Sequence, residues 1–190
     1  MSVNEQLTDQ ERVELTKKSY ENLQLGESIT IGQHHLGIVC RVERGEDGMR
    51  AFVISNPNEI TILYKGSYGI KKGTPQTWRD EWFKTNLPIL RAMLSHERRI
   101  PSQLKSASKF LNHVISQFRG SRVYIYGHSL GSINAQFALA NCRHPEAIAA
   151  AYLYEGTNIW LLLTLKERRC VAKMRERIYN YVDIYDPVTL

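Results

Sequence analysis

Ser129 lies midway between Gly127 and Gly131 in the stretch Val123-Tyr-Ile-Tyr-Gly-His-Ser-Leu-Gly-Ser132. This spacing has a physical cause. To stand clear of a sheet and attack an electrophilic carbon, a serine hydroxyl must occupy a sharp, positive-φ turn between a strand and a helix. Side chains two residues before and after would strike that turn or the returning helix, and glycine removes both collisions. The flanks fit. Val123, Ile125 and the two tyrosines favour a strand, while Ile133, Phe137 and Ala140 recur at helical spacing. The predicted helix Leu130–Asn141 would aim its N-terminal amides at the point where negative charge develops on a substrate oxygen.

The rest of the chain must position this turn. Thr8–Leu23 reads as a helix: Thr8 and Glu11 form a capping box, Val13, Thr16, Tyr20 and Leu23 give a thin stripe, and Gly26 ends it. Residues 1–24 are therefore expected to dock on a domain formed by 25–190. Ser28–Gly32, Leu36–Val42 and Arg50–Ser55 are strand-like and separated by turn signals, a meander at the start of a sheet. Glu59–Tyr64 is a further β-prone run. Thr77–Ser95 reads as a helix interrupted at Pro88, and Ser102–Phe118 as a helix opened by Pro101 at its N1 position. Ala147–Leu153 reads as a strand or as the end of a helix running into one. Ile159–Leu165 opens a helix that continues over Lys166–Glu176, and Arg177–Val182 is again a strand. Strands alternating with helices from residue 51 onward imply an α/β fold: a mostly parallel sheet with helices on both faces and an antiparallel N-terminal edge.

Composition excludes several classes. In 190 residues, 43% hydrophobic and 23% charged, no run reaches the roughly 18 apolar residues of a membrane span. The polar start, Met1-Ser-Val-Asn-Glu-Gln, is not a secretory signal, so a cytoplasmic protein, or one exported without a cleaved signal peptide, is expected. Cys40, Cys142 and Cys170 are far apart and odd in number, which reads as buried free thiols, with no metal site and no cofactor implied. The net charge of +6 gathers in His96–Lys109 and Lys166–Arg177 at helical spacing. These read as solvated helix faces, with peripheral contact to an anionic membrane surface as the further option. No aromatic-basic motif accompanies the charge, so nucleic acid is not an expected partner.

Three ordered pieces resemble the α/β-hydrolase superfamily, and more closely the class 3 lipases. They are the nucleophile elbow Gly127-His-Ser-Leu-Gly131, the strand-end segment Tyr64-Lys65-Gly66-Ser67, and Tyr185-Asp186-Pro187-Val188. The resemblance covers residues 50–190, about three quarters of the chain. The second is similar to the family's Arg-Gly-Thr/Ser oxyanion piece, with Lys65 in place of arginine. The third is similar to its Asp-x-Val-Pro segment, with Thr189 where the family has proline. The resemblance implies Ser129 as nucleophile and the amides of Ser67 and Leu130 as oxyanion donors. It implies Asp186, or alternatively Asp183, as the triad acid, and His128 as a supporting residue of the elbow. It also implies a lipid or other ester as substrate.

The chain departs from the family in one respect. There the order is Ser, Asp, His, whereas here no histidine follows His144. Of the six histidines, His128 should point away from the hydroxyl. His34 and His35 lie on an early strand or turn, and His96, His113 and His144 read as surface or helix-end residues. Three accounts follow: a C-terminally truncated hydrolase, a non-catalytic module of hydrolase fold that binds lipid or a protein partner, or a base supplied from elsewhere.

Overall fold

Seven strands make one sheet whose spatial order equals the chain order, β1 to β7, in a computed structural model that describes residues 2–66 and 100–182. The strands are β1 (Ser28–Ile31), β2 (His34–Arg44), β3 (Arg50–Ser55), β4 (Glu59–Tyr64), β5 (Arg122–His128), β6 (Ile148–Tyr154) and β7 (Ile178–Tyr181). The first three pairings are antiparallel and β4 through β7 are parallel. The described helices are α1 (Val3–Gln6), α2 (Asp9–Lys18), α3 (Ser102–Gln117), α4 (Leu130–Ala140) and α5 (Leu165–Ala172). The expected α/β sheet with an antiparallel N-terminal edge is therefore present. The predicted Thr77–Ser95 helix lies outside the described residues.

Alternation along the strands builds two cores. Ile60, Ile62, Val123, Ile125, Ala151 and Leu153 face one side, beneath Phe110, Leu111 and Val114 of α3 and Ala135, Ala138 and Leu139 of α4. Leu63, Tyr124, Tyr126 and Tyr152 face the other, against Leu7, Leu15 and Leu23 of the N-terminal segment. Helices thus cover both faces. Val123–Tyr126 is buried throughout, as a central parallel strand should be.

The N-terminal segment is held by a buried polar dock. Glu59, at the start of β4 and 2% exposed, accepts hydrogen bonds from the Val3 and Asn4 amides (both 3.1 Å) and from Asn4 Nδ2 (3.0 Å). Ser2 Oγ is bonded to Glu59 and to Tyr124 Oη. Asn4 Nδ2 also donates to Thr61 Oγ1 at 2.8 Å, and Tyr126 Oη donates to Asn4 Oδ1 at 2.8 Å. Every side chain of this cluster has partners, as burial requires.

Several expectations need correction. The Thr8 capping box forms, but α2 ends at Lys18 and not at Leu23. Bonds from Ser19, Tyr20 and Glu21 to carbonyls three residues back tighten the chain into a turn, and the Tyr20 side chain is taken up elsewhere. Leu15 and Thr16 are the buried helix positions, while Arg12 covers the Tyr152 ring at 4.6 Å, a cation–π contact. Pro101 is the N-cap of α3, not its N1 residue. The expected long helix from Ile159 is a 3₁₀ turn at Trp160–Leu162 followed by α5, which Thr164 restarts with its own capping box. Of the three free thiols only Cys142 is buried. Cys40 is exposed because it lies where the β2–β3 register shifts.

Candidate active site at the end of strand β5

Strand β5 ends at His128 and α4 begins at Leu130, so Ser129 alone makes the turn. Its φ of 55° and ψ of −123° lie where non-glycine residues rarely go, a strain of roughly 1–3 kcal/mol. Neighbouring bonds hold it there. Its N–H donates to Tyr154 O of β6 at 2.9 Å, and its carbonyl accepts from Ser132 N (2.9 Å) and Ile133 N (3.2 Å). Although Ser129 is the N-cap of α4, its side chain makes no capping bond. The residue is 8% exposed.

The glycines show why nothing larger fits. A Cβ at Gly127 would lie 2.6 Å from Gly131 O, and one at Gly131 would lie 2.2 Å from Tyr64 O. The start of α4 therefore rests directly on the end of β4. Gly156 does the same from the other side, since its Cβ would fall 2.3 Å from Ser132 Oγ. From the sequence alone Gly156 carries no assigned role. A glycine shortly after the predicted strand Ala147–Leu153 was the available signal.

His128 is turned away from Ser129 and committed at both nitrogens. Nδ1 lies 2.6 Å from Tyr20 Oη, and Nε2 lies 2.9 Å from Glu155 Oε2. The Tyr20 ring meets the imidazole edge-on at 5.7 Å. Burial raises the Tyr20 phenol above its ordinary range, with the Glu155 charge adding to the effect. The hydrogen bond from His128 lowers the Glu155 carboxyl, against the opposing effect of burial. Tyr20 Oη–H donating to Nδ1 and Nε2–H donating to Glu155 satisfies all three groups. The sequence could not reveal Tyr20, which is 108 residues away.

The strand-end residues Tyr64–Gly66 lie against the elbow. Lys65 is 4% exposed and donates from Nζ to Tyr20 O at 3.4 Å. Gly66 is so close to the elbow that a Cβ on it would lie 2.7 Å from His128 O and 2.2 Å from Tyr20 Oη. On the other side, the Glu155 amide donates to Tyr181 O at 2.9 Å, which ties the end of β7 to the loop after β6. Ser67, Asp183 and Asp186 lie outside the described residues, as does His96. Leu130 is at the first position of α4, where the backbone N–H has no intrahelical acceptor. Gly66, Leu130, Glu155 and Tyr181 follow or end β4, β5, β6 and β7, at the carboxyl ends of the parallel strands, the end where open α/β sheets bind ligands.

His34 and His35 do not join them. Ile38 pairs with Ser55, Ser55 with Ile60, and Ile60 with Val123, so the start of β2 lies at the opposite end of the sheet from Ser129. It is also three strand spacings from β5, about 14 Å sideways. His34 Nε2 instead faces Glu11 at 3.8 Å, and His35 Nδ1 faces the Ser28 and Thr30 hydroxyls at 3.4 Å each. His144 is exposed beside Glu146, and His113 is exposed on α3. Among the described residues, no hydrogen bond joins a histidine to Ser129. No group of metal-ligating side chains and no helix long and apolar enough to cross a membrane occurs among them either.

No protein-family model matches the chain, and no curated protein matches it. Among solved structures it is similar to a fungal lipase in complex with an inhibitor, described as a model for interfacial activation. The identity is 14% and the TM-score 0.36, over 80% of this chain and 64% of that one. The chain thus spans less than two thirds of that lipase's length. The α/β architecture itself rests on the seven-stranded sheet and the helices on its two faces.

Proposed function

We propose that the chain is a serine ester hydrolase of lipase type, acting by acyl transfer through Ser129. The observation that carries this reading is the strained Ser129 turn, with its hydroxyl unused as a cap and glycines at every close approach. In the proposed reaction Ser129 Oγ loses its proton and bonds to the ester carbonyl carbon. The resulting oxyanion is held by the amides of Leu130 and Ser67, each such donor being worth roughly 2.7–4 kcal/mol of barrier. The C–O bond to the alcohol then breaks, the alcohol takes up a proton, and water releases the acyl group from Ser129. Asp186, or Asp183, would orient an imidazole supplied from elsewhere than the described histidines, which takes the Ser129 proton and passes it to the leaving alcohol. A lipid ester is the proposed substrate.

One observation favours a second reading, a non-catalytic module of hydrolase fold that binds lipid or a protein partner. Both nitrogens of His128 are occupied away from Ser129, and His34 and His35 lie at the wrong end of the sheet.

A fluorophosphonate probe and a short-chain p-nitrophenyl ester separate the two. Covalent labelling and hydrolysis that both disappear in Ser129→Ala are expected. A folded wild-type chain that neither labels nor hydrolyses above the Ser129→Ala background overturns the hydrolase in favour of the module.

A further inference from the structure

Lys109, from the first basic cluster of the sequence, meets the second cluster in space, away from Ser129. A cleft of about 1000 Å³ runs between the second half of α3 and α5, over the end of α4. Lys109, Arg143, Lys166, Arg169 and Lys173 line it, and all five are exposed. They come from three separate segments, so the convergence belongs to the fold and not to one helix face. Among the described residues, no salt bridge joins any of the five to an acid. Glu167, the single carboxylate lining the cleft, is engaged elsewhere. It accepts from Thr164 N and Oγ1, both at 2.7 Å, and from Asn141 Nδ2 at 3.1 Å.

The walls of the cleft are fixed. Asn112 of α3 donates to Asn141 O at 3.0 Å and accepts from Arg143 N at 2.8 Å. Asn141 in turn bridges to Glu167 of α5, so three elements are clipped together at the floor. The cations are therefore mounted on a rigid concave frame. Like charges gathered in this way repel one another unless an anion sits between them. His113 and His144 add two more donors at the rim, His144 with its Nδ1 already paired to Glu146 at 3.1 Å.

We infer that this cleft binds clustered phosphate groups: a small anion, free or as a lipid headgroup, that carries several phosphates on one body. A concave set of five cations adds its fields over a compact multivalent anion. Monovalent headgroups spread over a flat bilayer would meet only the rim. Leu165, 73% exposed beside Lys166, and Leu161, 81% exposed, give a lipid-borne headgroup an apolar neighbour. The inference does not depend on Ser129 acting as a nucleophile.

The test uses the full chain and calorimetric titration with inositol hexakisphosphate and with orthophosphate. The hexakisphosphate is expected to bind at least about tenfold more tightly than orthophosphate, and Lys166→Glu/Arg169→Glu to weaken it by about tenfold or more. Lys17→Glu/Arg44→Glu changes the net charge equally outside the cleft and is expected to shift affinity by less than about threefold. Unchanged thermal melting confirms that both exposed double variants are folded. Sedimentation with vesicles of phosphatidylinositol bisphosphate, against phosphatidylserine vesicles of equal charge, identifies the source. Preference for the bisphosphate supports a lipid headgroup. Binding of the hexakisphosphate without either vesicle supports a free anion. Equal weakening by the two double variants, equal binding of orthophosphate and hexakisphosphate, or equal binding to the two vesicles overturns the inference.

Discussion

The N-terminal dock and the Ser129 turn are both built from polar side chains buried on the sheet, yet they are opposite in kind. At the dock, Ser2, Asn4, Glu59, Thr61, Tyr124 and Tyr126 close on one another. At the turn, among the described residues, the Ser129 hydroxyl makes no capping bond, and further along α4 the fully buried Asn134 amide has no partner either. The dock has relaxed, extended backbone at Ser2, whereas the turn carries positive φ at Ser129 and again at Glu155. A satisfied cluster can only hold the chain together. A strained residue with a spare hydroxyl lowers stability and is kept in place by what surrounds it, which is how a reacting group must be mounted.

Substitutions can break or sharpen this contrast. Gly131→Ala should have the largest effect, because the new Cβ meets the Tyr64 carbonyl at 2.2 Å and backbone must move. About 3–4 kcal/mol of stability should be lost in urea unfolding, and labelling of Ser129 should disappear with it. Glu59→Ala strips the dock of its acceptor. It should destabilise by about 2–3 kcal/mol yet leave fluorophosphonate labelling of the folded fraction unchanged. Loss of labelling in folded Glu59→Ala protein would mean that the two regions are not separable.

Tyr20 is the bridge between them, on the N-terminal segment but bonded to His128. Tyr20→Phe should lose about 1 kcal/mol and slow labelling, an effect that Glu59→Ala should lack. The smallest effect belongs to Glu155. Its carboxyl titrates lower in the folded chain than the unfolded value of about 4.3. The stability it contributes is therefore present above that value and lost as pH falls through the lowered folded one. With half of the side chain exposed, solvent screening leaves no more than about 0.5 kcal/mol. Melting of Glu155→Gln between pH 6 and 3 should fall less steeply than wild type by that amount.

What was legible in the sequence was local. The strand, turn and helix around Ser129 declare themselves through β-branched and aromatic residues, two glycines and helical spacing within 20 positions. The helix at Ser102 and the strand at Ile148 were visible for the same reason. What was hidden depends on distant partners. Glu59 at the head of a β-prone run reads as a solvated strand end until Ser2 and Asn4 arrive from 57 and 55 residues away. The α1 turn that delivers them was overlooked, although Ser2-Val-Asn-Glu5 has the spacing of a cap. The early strand of His34 and His35 was legible, but the end of the sheet they reach was not, because that depends on antiparallel register and not on strand count alone.

The sequential order of the seven strands has a consequence for biosynthesis. Each strand pairs with the one made just before it, so the sheet can grow from its first hairpin as the polypeptide leaves the ribosome, closing one modest loop at a time. Residues 2–6 are made well before β5 yet finish docking only with it. Their acceptor, Glu59, comes early, but Tyr124 and Tyr126, which complete the seat, emerge more than 100 residues later. The Ser2–Gln6 segment therefore acts as a latch that shuts only once β5 and its serine have been made.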